Sequence, residues 1–156
     1  MATIVTPSDL TVTISESYSL NGVAYGNTMN KTFTSNGQVS QRIMSIAAYT
    51  ASADVWTSML SLDAADGQGE VVSADYKYFR ITNLDNANSI NVRVFDGTNY
   101  IITEVSPLSS LLLMDDKVDV QTAADDAASL SSITAIAAQS SSITEDVDVE
   151  FLIVTT

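Results

Sequence analysis

The chain has 156 residues and a formal net charge of −13, from nineteen Asp and Glu against six Lys and Arg. This length is typical of one compact domain, so we predict a single domain over 1–156. The negative charge disfavours nucleic acids and anionic membranes as partners, because both are bound through clustered Lys and Arg. Histidine and cysteine are absent, which removes the residues most used for proton transfer, thiolate chemistry and transition-metal ligation.

The amino-terminal segment predicts neither export nor insertion into a membrane. Residues 1–15 contain no basic stretch followed by a continuous apolar stretch, so we expect no secretory signal. Eighteen uncharged apolar residues never run together, so we expect no membrane span.

The first predicted strand covers residues 10–15, where polar and apolar side chains alternate. That alternation predicts Val12 and Ile14 on a core face. Turn signals at Asn21-Gly22 and at Gly26-Asn27 indicate a loop or a loose hairpin over 18–27. A short strand over 31–34 is predicted to follow.

Two segments, 38–51 and 54–62, are each long enough for a strand, although apolar spacings of three and four leave a helix possible. The predicted inward residues are Val39, Ile43, Ile46, Val55, Met59 and Leu62. Residues 63–70 are rich in glycine and acids and are predicted to be a loop.

The most informative stretch is 76–105, which reads as three consecutive strands with turns at 83–89 and at Asp96-Gly97. We interpret it as a meander. A further strand over 107–114 contains a leucine run that predicts burial on both faces.

The carboxyl-terminal third combines an ambiguous segment with a clear strand. Alanine and an early pair of aspartates favour a short helical turn near residues 122–130, followed by an irregular strand. Residues 146–155 are predicted to form a strand with Val147, Val149, Phe151 and Ile153 on one face and Asp148, Glu150 and Leu152 on the other. The fold class predicted from these elements is all-β: a single-domain antiparallel β-sandwich or jelly roll of eight or nine short strands.

No motif predicts catalysis, and no catalytic, cofactor-binding or metal-binding residue is predicted. Two acidic clusters contain carboxylates of the kind that bind calcium, but their spacing matches no EF-hand and solvated loops are the simpler interpretation. These clusters are Asp63, Asp66 and Glu70, and Asp115, Asp116 and Asp119. A glycosidase needs two acids facing each other across a cleft, and a serine hydrolase needs a histidine that this chain lacks. We therefore predict that the protein is not an enzyme and uses no cofactor.

Aromatic and arginine side chains are the remaining candidates for contacts with partners. Most aromatic residues fall at strand positions, where packing within the sheet is the ordinary role, although interfaces are also enriched in them. The candidates are Trp56, Tyr25, Tyr49, Tyr76, Tyr78 and Tyr100. Arg80 and Arg93 have two open interpretations, namely pairing with acids of a neighbouring subunit or pairing within the chain.

Three segments resemble a module of small virion proteins of tailed bacteriophages. They are Tyr78 to Asp85 (YFRITNLD), Asn88 to Val94 (NSINVRV) and Leu108 to Met114 (LSSLLLM). The closing strand Asp148 to Phe151 (DVEF) is similar too. Where this family has a Pro-Gly turn before the apolar strand, this chain has Ser106-Pro107-Leu108.

This resemblance implies a β-sandwich or jelly-roll protein of the virion, made in the host cytoplasm, that decorates and reinforces the outer capsid surface. It also implies capsid protein as a partner and a homo-oligomer, most simply a trimer. Two alternatives stay open at this point. One is a tail, neck or fibre-base component of the virion, and the other is a carbohydrate-binding module with Trp56 and surface tyrosines as its platform.

Overall fold

The computed structural model describes residues 8–49, 56–61, 75–115, 117–118 and 130–156. The regular secondary structure of these ranges is β-strand, without an α-helix. This confirms the predicted all-β class, while residues 122–129 of the predicted helical turn lie outside the described ranges. The strands are β1 (Ser8–Leu20), β2 (Val23–Asn36), β3 (Gln38–Ile46), β4 (Thr57–Ser61), β5 (Tyr76–Asn83), β6 (Ile90–Phe95), β7 (Tyr100–Val105), β8 (Ser110–Leu113), β9 (Lys117–Val118), β10 (Ser131–Ser132), β11 (Ala135–Ser140) and β12 (Val147–Thr155).

The chain divides into two compact units. The first comprises Met1–Gln38 with Thr156 and contains the paired strands β1 and β2, which we call the arm. The second comprises Val39–Thr155 and contains the other strands, which we call the sandwich. The single domain predicted over 1–156 stays a prediction.

Among the described residues, the sandwich contains two four-stranded antiparallel sheets and a short two-stranded sheet of β9 and β10. Sheet I has the strand order β4-β11-β6-β7, and sheet II has the order β3-β12-β5-β8. Four strand pairs are nested around the turn between β6 and β7, as in a long hairpin that is rolled up. They are β6–β7, β5–β8, β4–β11 and β3–β12. Pairing of β11 with β6 and of β12 with β5 closes the roll. This is the jelly-roll strand order, in which two Greek keys share one core.

The core lies between the inward faces of the two sheets. Phe79 and Phe151 of sheet II are fully buried, and their ring centroids lie 6.3 Å apart. From sheet I they meet Ile90, Val92 and Ile136, which are also fully buried. The predicted inward set of β12 is confirmed, since Val147, Val149, Phe151 and Ile153 are at most 2% exposed. Removing this apolar area from water is the main stabilising contribution.

The turn at the centre of the roll has the chemistry that its sequence predicts. Gly97 has a φ of 96°, a conformation that glycine adopts without steric cost. One carboxylate oxygen of Asp96 accepts hydrogen bonds from the backbone N–H groups of Thr98 at 2.8 Å and Asn99 at 2.6 Å. These bonds favour the ionised carboxylate and lower the pKa of Asp96 below its ordinary 3.8.

The predicted meander over 76–105 is wrong in its pairing. β5 belongs to sheet II, whereas β6 and β7 form a hairpin in sheet I. The turn over 83–89 therefore carries the chain from one sheet to the other. Local periodicity identified each strand, but the choice of neighbour depends on which strands share the core.

The inward face predicted for β3 is also wrong in part. Ile46 is buried, as predicted, but Val39 and Ile43 are 54% and 65% exposed. Side chains alternate along a strand, and Met44 packs with Ile46 against the core. Val39 and Ile43 consequently point to the opposite side. In β8, Leu111, Leu112 and Leu113 are only half-buried.

The loop or loose hairpin predicted over 18–27 is a continuous part of the arm. β1 and β2 pair from Ser8 with Asn36 to Leu20 with Val23, and they turn only at Asn21-Gly22. The φ values of these two residues are 52° and 78°, as a type I′ turn requires. Gly26 and Asn27 lie within β2 opposite Ser17 and Glu16.

Candidate interaction surfaces

The arm has two chemically distinct faces. Directly opposed residues share a face, so its register sorts the side chains. One face carries Leu10, Val12, Ile14, Glu16, Tyr18 and Leu20 from β1 and Phe33, Lys31, Met29, Asn27, Tyr25 and Val23 from β2. We call this the apolar face. Val12 and Ile14, predicted to lie on a core face, lie on this face of the arm and are half-buried.

The apolar face is most exposed towards the turn. Tyr18 and Leu20 are 59% and 58% exposed, and Val23, Tyr25 and Met29 of β2 are also exposed. The rings of Tyr18 and Tyr25 stack with centroids 5.3 Å apart, so they form a rigid aromatic pair across the two strands.

The opposite face of the arm is a ladder of hydroxyl and amide groups, which we call the hydroxyl face. Thr13 donates to the side-chain oxygen of Asn30 at 2.8 Å, and Thr11 and Thr32 bond through their hydroxyls at 3.2 Å. Ser15 and Thr28 form a similar bond at 3.3 Å. These cross-strand bonds are exposed to solvent, and they fix the strand register at little energetic gain.

The arm is a long ribbon of two strands. At about 3.4 Å per residue, the 13 residues of β1 span about 44 Å, and within the described residues neither β1 nor β2 pairs with a third strand. An isolated two-stranded ribbon is only marginally stable in water. A contiguous exposed apolar surface is typical of a protein–protein interface.

A second surface lies on the outward side of sheet I, where an arginine is held between two aromatic rings. The guanidinium carbon of Arg93 lies 4.7 Å from the ring centroid of Trp56 and 5.7 Å from that of Tyr100. Arg93 faces Ala137 on β11, and this small residue leaves room for the arginine beside Trp56. A pocket of about 230 Å³ opens here, lined by Arg93, Phe95, Tyr100, Ala135 and Ala137.

A neighbouring pocket on the same side of sheet I has a polar lining. Asn91 on β6 lies opposite Gln139 on β11. This pair is two residues along the strands from the pair of Arg93 and Ala137, so both pairs lie on the same face of sheet I. Together with Tyr49, Ser140 and Ser141 they line a pocket of about 310 Å³. Successive same-face positions on a strand lie about 7 Å apart, so the two pockets are adjacent.

The loops at one end of the sandwich are joined by hydrogen bonds. Asn83, fully buried, donates through its side-chain amide to the carbonyl oxygens of Asn88 at 2.9 Å and Val105 at 3.2 Å. The backbone N–H of Asp85 donates to the side-chain oxygen of Asn83 at 3.0 Å. This network fixes the loop over 84–89 against the end of β7.

One turn at this end has an unusual residue. Pro107 and Leu108 form the corner of a turn closed by the Ser109 N–H donating to the Ser106 carbonyl at 3.1 Å. Leu108 has a φ of 56°, where such a turn favours glycine, and its side chain is 70% exposed.

The arginines and tyrosines singled out in the sequence have different environments. Arg80 forms an ion pair with Glu150 on the neighbouring strand β12, so the internal interpretation is correct for Arg80. Tyr76 and Tyr78 are buried, and burial raises the pKa of the Tyr78 hydroxyl, although the charge of Arg80 opposes the shift. Tyr25 and Tyr100 are exposed on the arm and on sheet I.

The acidic clusters of the sequence fall largely outside the described residues. Asp63, Asp66, Glu70, Asp116 and Asp119 lie there, and only Asp115 is described. Within the described ranges, no group of three or more acidic side chains is placed to hold a metal ion. No helix in the same ranges is long and apolar enough to cross a membrane.

Sequence reasoning missed both surfaces, although the sequence contains a signal for the apolar face of the arm. A two-residue Asn-Gly turn between Leu20 and Val23 fixes the pairing of β1 with β2, and that register places their apolar residues together. The Arg93 pocket depends on β6 lying beside β11, which no local pattern indicates.

Comparisons with protein-family models, with curated proteins and with solved structures give no match to this chain.

Proposed function

We propose that this chain is a structural virion protein that decorates the outer surface of a phage capsid as a homo-oligomer, most simply a trimer. The observation that carries the proposal is the exposed apolar face of the arm. The resemblance of the sandwich strands to small phage virion proteins supports the setting. The jelly-roll fold agrees with it, because this fold is common in capsid proteins.

The arm is the part of the chain best suited to contact between copies. It contains two acids and one lysine, so nearly all of the net charge of −13 resides elsewhere. Copies that approach through other surfaces repel each other, whereas arms meet with little repulsion. Packing of one apolar face against another removes Tyr18, Leu20, Val23 and Tyr25 from water, as in two sheets of a sandwich.

The assembled particle then binds the capsid and reinforces it by bridging capsid proteins. Such binding needs no catalytic group, and its strength depends on several copies engaging at once.

The mass of the native protein tests this assembly. At micromolar concentration we expect the wild-type protein to be an oligomer by light scattering. The variant Tyr18→Ser/Leu20→Ser/Tyr25→Ser removes three large apolar groups from the exposed end of the apolar face and should be monomeric. The matched control Ser15→Ala/Ser17→Ala/Ser19→Ala changes the hydroxyl face of the same strand and should keep the wild-type mass.

Binding to capsids is measured by co-sedimentation with shells of the major capsid protein encoded in the same genome. We expect the wild-type protein and the control to pellet with the shells and the arm variant to stay in solution. A strictly monomeric wild-type protein that does not pellet with shells would overturn the proposal.

A further inference from the structure

We propose that the protein docks onto the capsid through one end of the sandwich, where Leu84, Leu108 and Ile143 enter an apolar groove of a capsid protein that has lysine or arginine at its rim. This end, which we call the loop end, consists of a first loop over 84–89, a second over 106–109 and a third over 141–146. The inference rests on the proposed function, because it names the surface by which the assembled particle engages the shell.

Each of the three loops exposes one large aliphatic side chain. Leu84 is 41% exposed, Leu108 is 70% exposed and Ile143 is 71% exposed. Surface loops are ordinarily built from glycine, proline and small polar residues, which suit turns and contact with water. Three exposed aliphatic residues on neighbouring loops are therefore typical of a surface that binds another macromolecule.

Leu108 is exposed on an unfavourable backbone. Its φ of 56° lies in the left-handed region, where a leucine is strained and a glycine is not. Because the side chain is mostly in contact with water, its own burial contributes little that could offset this strain. Strained residues of this kind are concentrated at functional sites. Contact with a partner therefore explains the leucine better than the fold does.

Hydrogen bonds join the three loops to one another. The backbone N–H of Leu108 donates to the carbonyl oxygen of Asp85 at 3.1 Å, which connects the second loop to the first. The side-chain amide of Asn88 donates to the carboxylate of Glu145 at 3.0 Å, which connects the first loop to the third. Loops that are already held in place lose little conformational entropy when they bind, so this surface is suited to docking without rearrangement.

The charge of the loop end indicates which kind of groove fits it. The three loops contain Asp85, Glu145 and Asp146 but no Lys or Arg. Glu104 at the end of β7 lies beside them, since its carboxylate accepts a hydrogen bond from the hydroxyl of Ser89 at 3.0 Å. Carboxylates next to aliphatic side chains are complementary to an apolar groove with a basic rim. The same carboxylates disfavour an anionic membrane.

Quantitative co-sedimentation with shells of the major capsid protein encoded in the same genome tests this surface. The variant Leu108→Asn/Ile143→Ser removes two exposed aliphatic side chains, and asparagine tolerates the left-handed backbone at position 108. We expect this variant to keep the oligomeric mass and the melting temperature of the wild-type protein but to bind shells about tenfold more weakly or worse.

Two control variants separate the loop end from other apolar surface. Ile43→Ser removes an isoleucine of similar exposure, 65%, from β3 and should bind shells like the wild-type protein. Leu108→Met keeps an apolar side chain of similar volume at the loop end and should also bind like the wild-type protein.

Salt and lipid distinguish a basic groove from other partners. Raising the ionic strength from about 0.05 M to about 0.5 M should weaken the binding of the wild-type protein to shells, because salt screens the carboxylates from the basic rim. Phosphatidylcholine vesicles should not pellet the protein. Vesicle binding that is lost in Leu108→Asn/Ile143→Ser while shell binding is unchanged would assign the loop end to a membrane and overturn the inference.

The remaining outcomes separate this inference from the proposed function. If the wild-type protein and Leu108→Asn/Ile143→Ser pellet equally well with shells, the loop end is not the docking surface, although capsid decoration still holds. Shell binding that does not weaken with salt would exclude the basic rim and would also overturn the inference. A wild-type protein that does not pellet with shells overturns it too, and if that protein is also monomeric, the proposed function fails with it.

Discussion

The arm and the sandwich consist of the same kind of strand, but they differ in how many neighbours each strand has and in whether its apolar face is buried. In the sandwich every central strand has neighbours on both sides and a buried face, as β5 and β12 show. Within the part of the chain that the structure describes, each strand of the arm has one neighbour, and the apolar residues nearest the turn are exposed. Alternation alone therefore predicts a strand but does not predict whether its apolar face is covered within the same chain.

The largest expected effect concerns the core of the sandwich. Phe151→Ala removes a fully buried ring that packs on Phe79, and it should lower the free energy of unfolding by about 3–5 kcal/mol. Tyr18→Ala removes a ring of similar size from the arm, where it is 59% exposed, and should cost much less in the unassembled protein. Urea denaturation of both variants measures this difference. Equal losses of the free energy of unfolding would show that the arm side chain contributes as much to stability as the core side chain does.

The next effect concerns the buried amide of Asn83. Asn83→Ala leaves the carbonyls of Asn88 and Val105 and the N–H of Asp85 without this partner, at a cost of about 1–3 kcal/mol. The control Asn27→Ala changes an exposed amide of the arm and should be near neutral. Hydrogen exchange should also be faster over 84–89 in Asn83→Ala, and unchanged protection there would contradict the role of this residue.

A smaller effect is expected at Leu108. Leu108→Gly relieves a left-handed conformation that costs a side chain about 1 kcal/mol, while the added freedom of the unfolded chain offsets part of the gain. The variant should be as stable as the wild-type protein or slightly more stable. Leu84→Gly makes the same change where φ is not positive and should be destabilised by about 1 kcal/mol. Thermal melting of the two variants compares them directly.

The smallest effect is a dependence on acid. Backbone hydrogen bonds from Asn88 and Ala87 lower the pKa of Asp85, as those from Asn99 and Thr98 lower the pKa of Asp96. Since the folded pKa values lie below the ordinary 3.8, this stabilisation is present above pH 3.8 and is lost as the pH falls through the folded values. Asp85→Asn/Asp96→Asn keeps an oxygen acceptor that does not titrate.

Urea denaturation at pH 7 and at pH 3 checks this dependence. We expect the double variant to lose less stability between the two pH values than the wild-type protein does. An identical loss in both proteins would mean that the two turns contribute nothing to the acid sensitivity of the sandwich.

The sequence predicted where the strands lie better than it predicted which strands pair with each other. The pattern of apolar residues over 146–155 identified the inward face of β12, and Asp96-Gly97 identified the β6–β7 turn, because both signals are local. The prediction of a meander was wrong because the pairing partner of β5 depends on a core that forms between distant segments of the chain. The Arg93 pocket was missed for the same reason, since its residues come from the three strands β6, β7 and β11. The absence of histidine and cysteine guided the choice between function classes, but it did not predict which surface of the protein contacts a partner.

The nested pairing has a consequence for the synthesis of the protein. β12 lies between β3 and β5 in sheet II, although about 100 residues separate Ile46 from Val147. A ribosome adds about 5–20 residues per second, so β3 waits roughly 5–20 s for its neighbour. During this interval the inward side chains of the emerging strands are exposed to other nascent chains. The time taken to synthesise residues 47–146 therefore sets how long these side chains stay uncovered, and it leaves the stability of the finished fold unchanged.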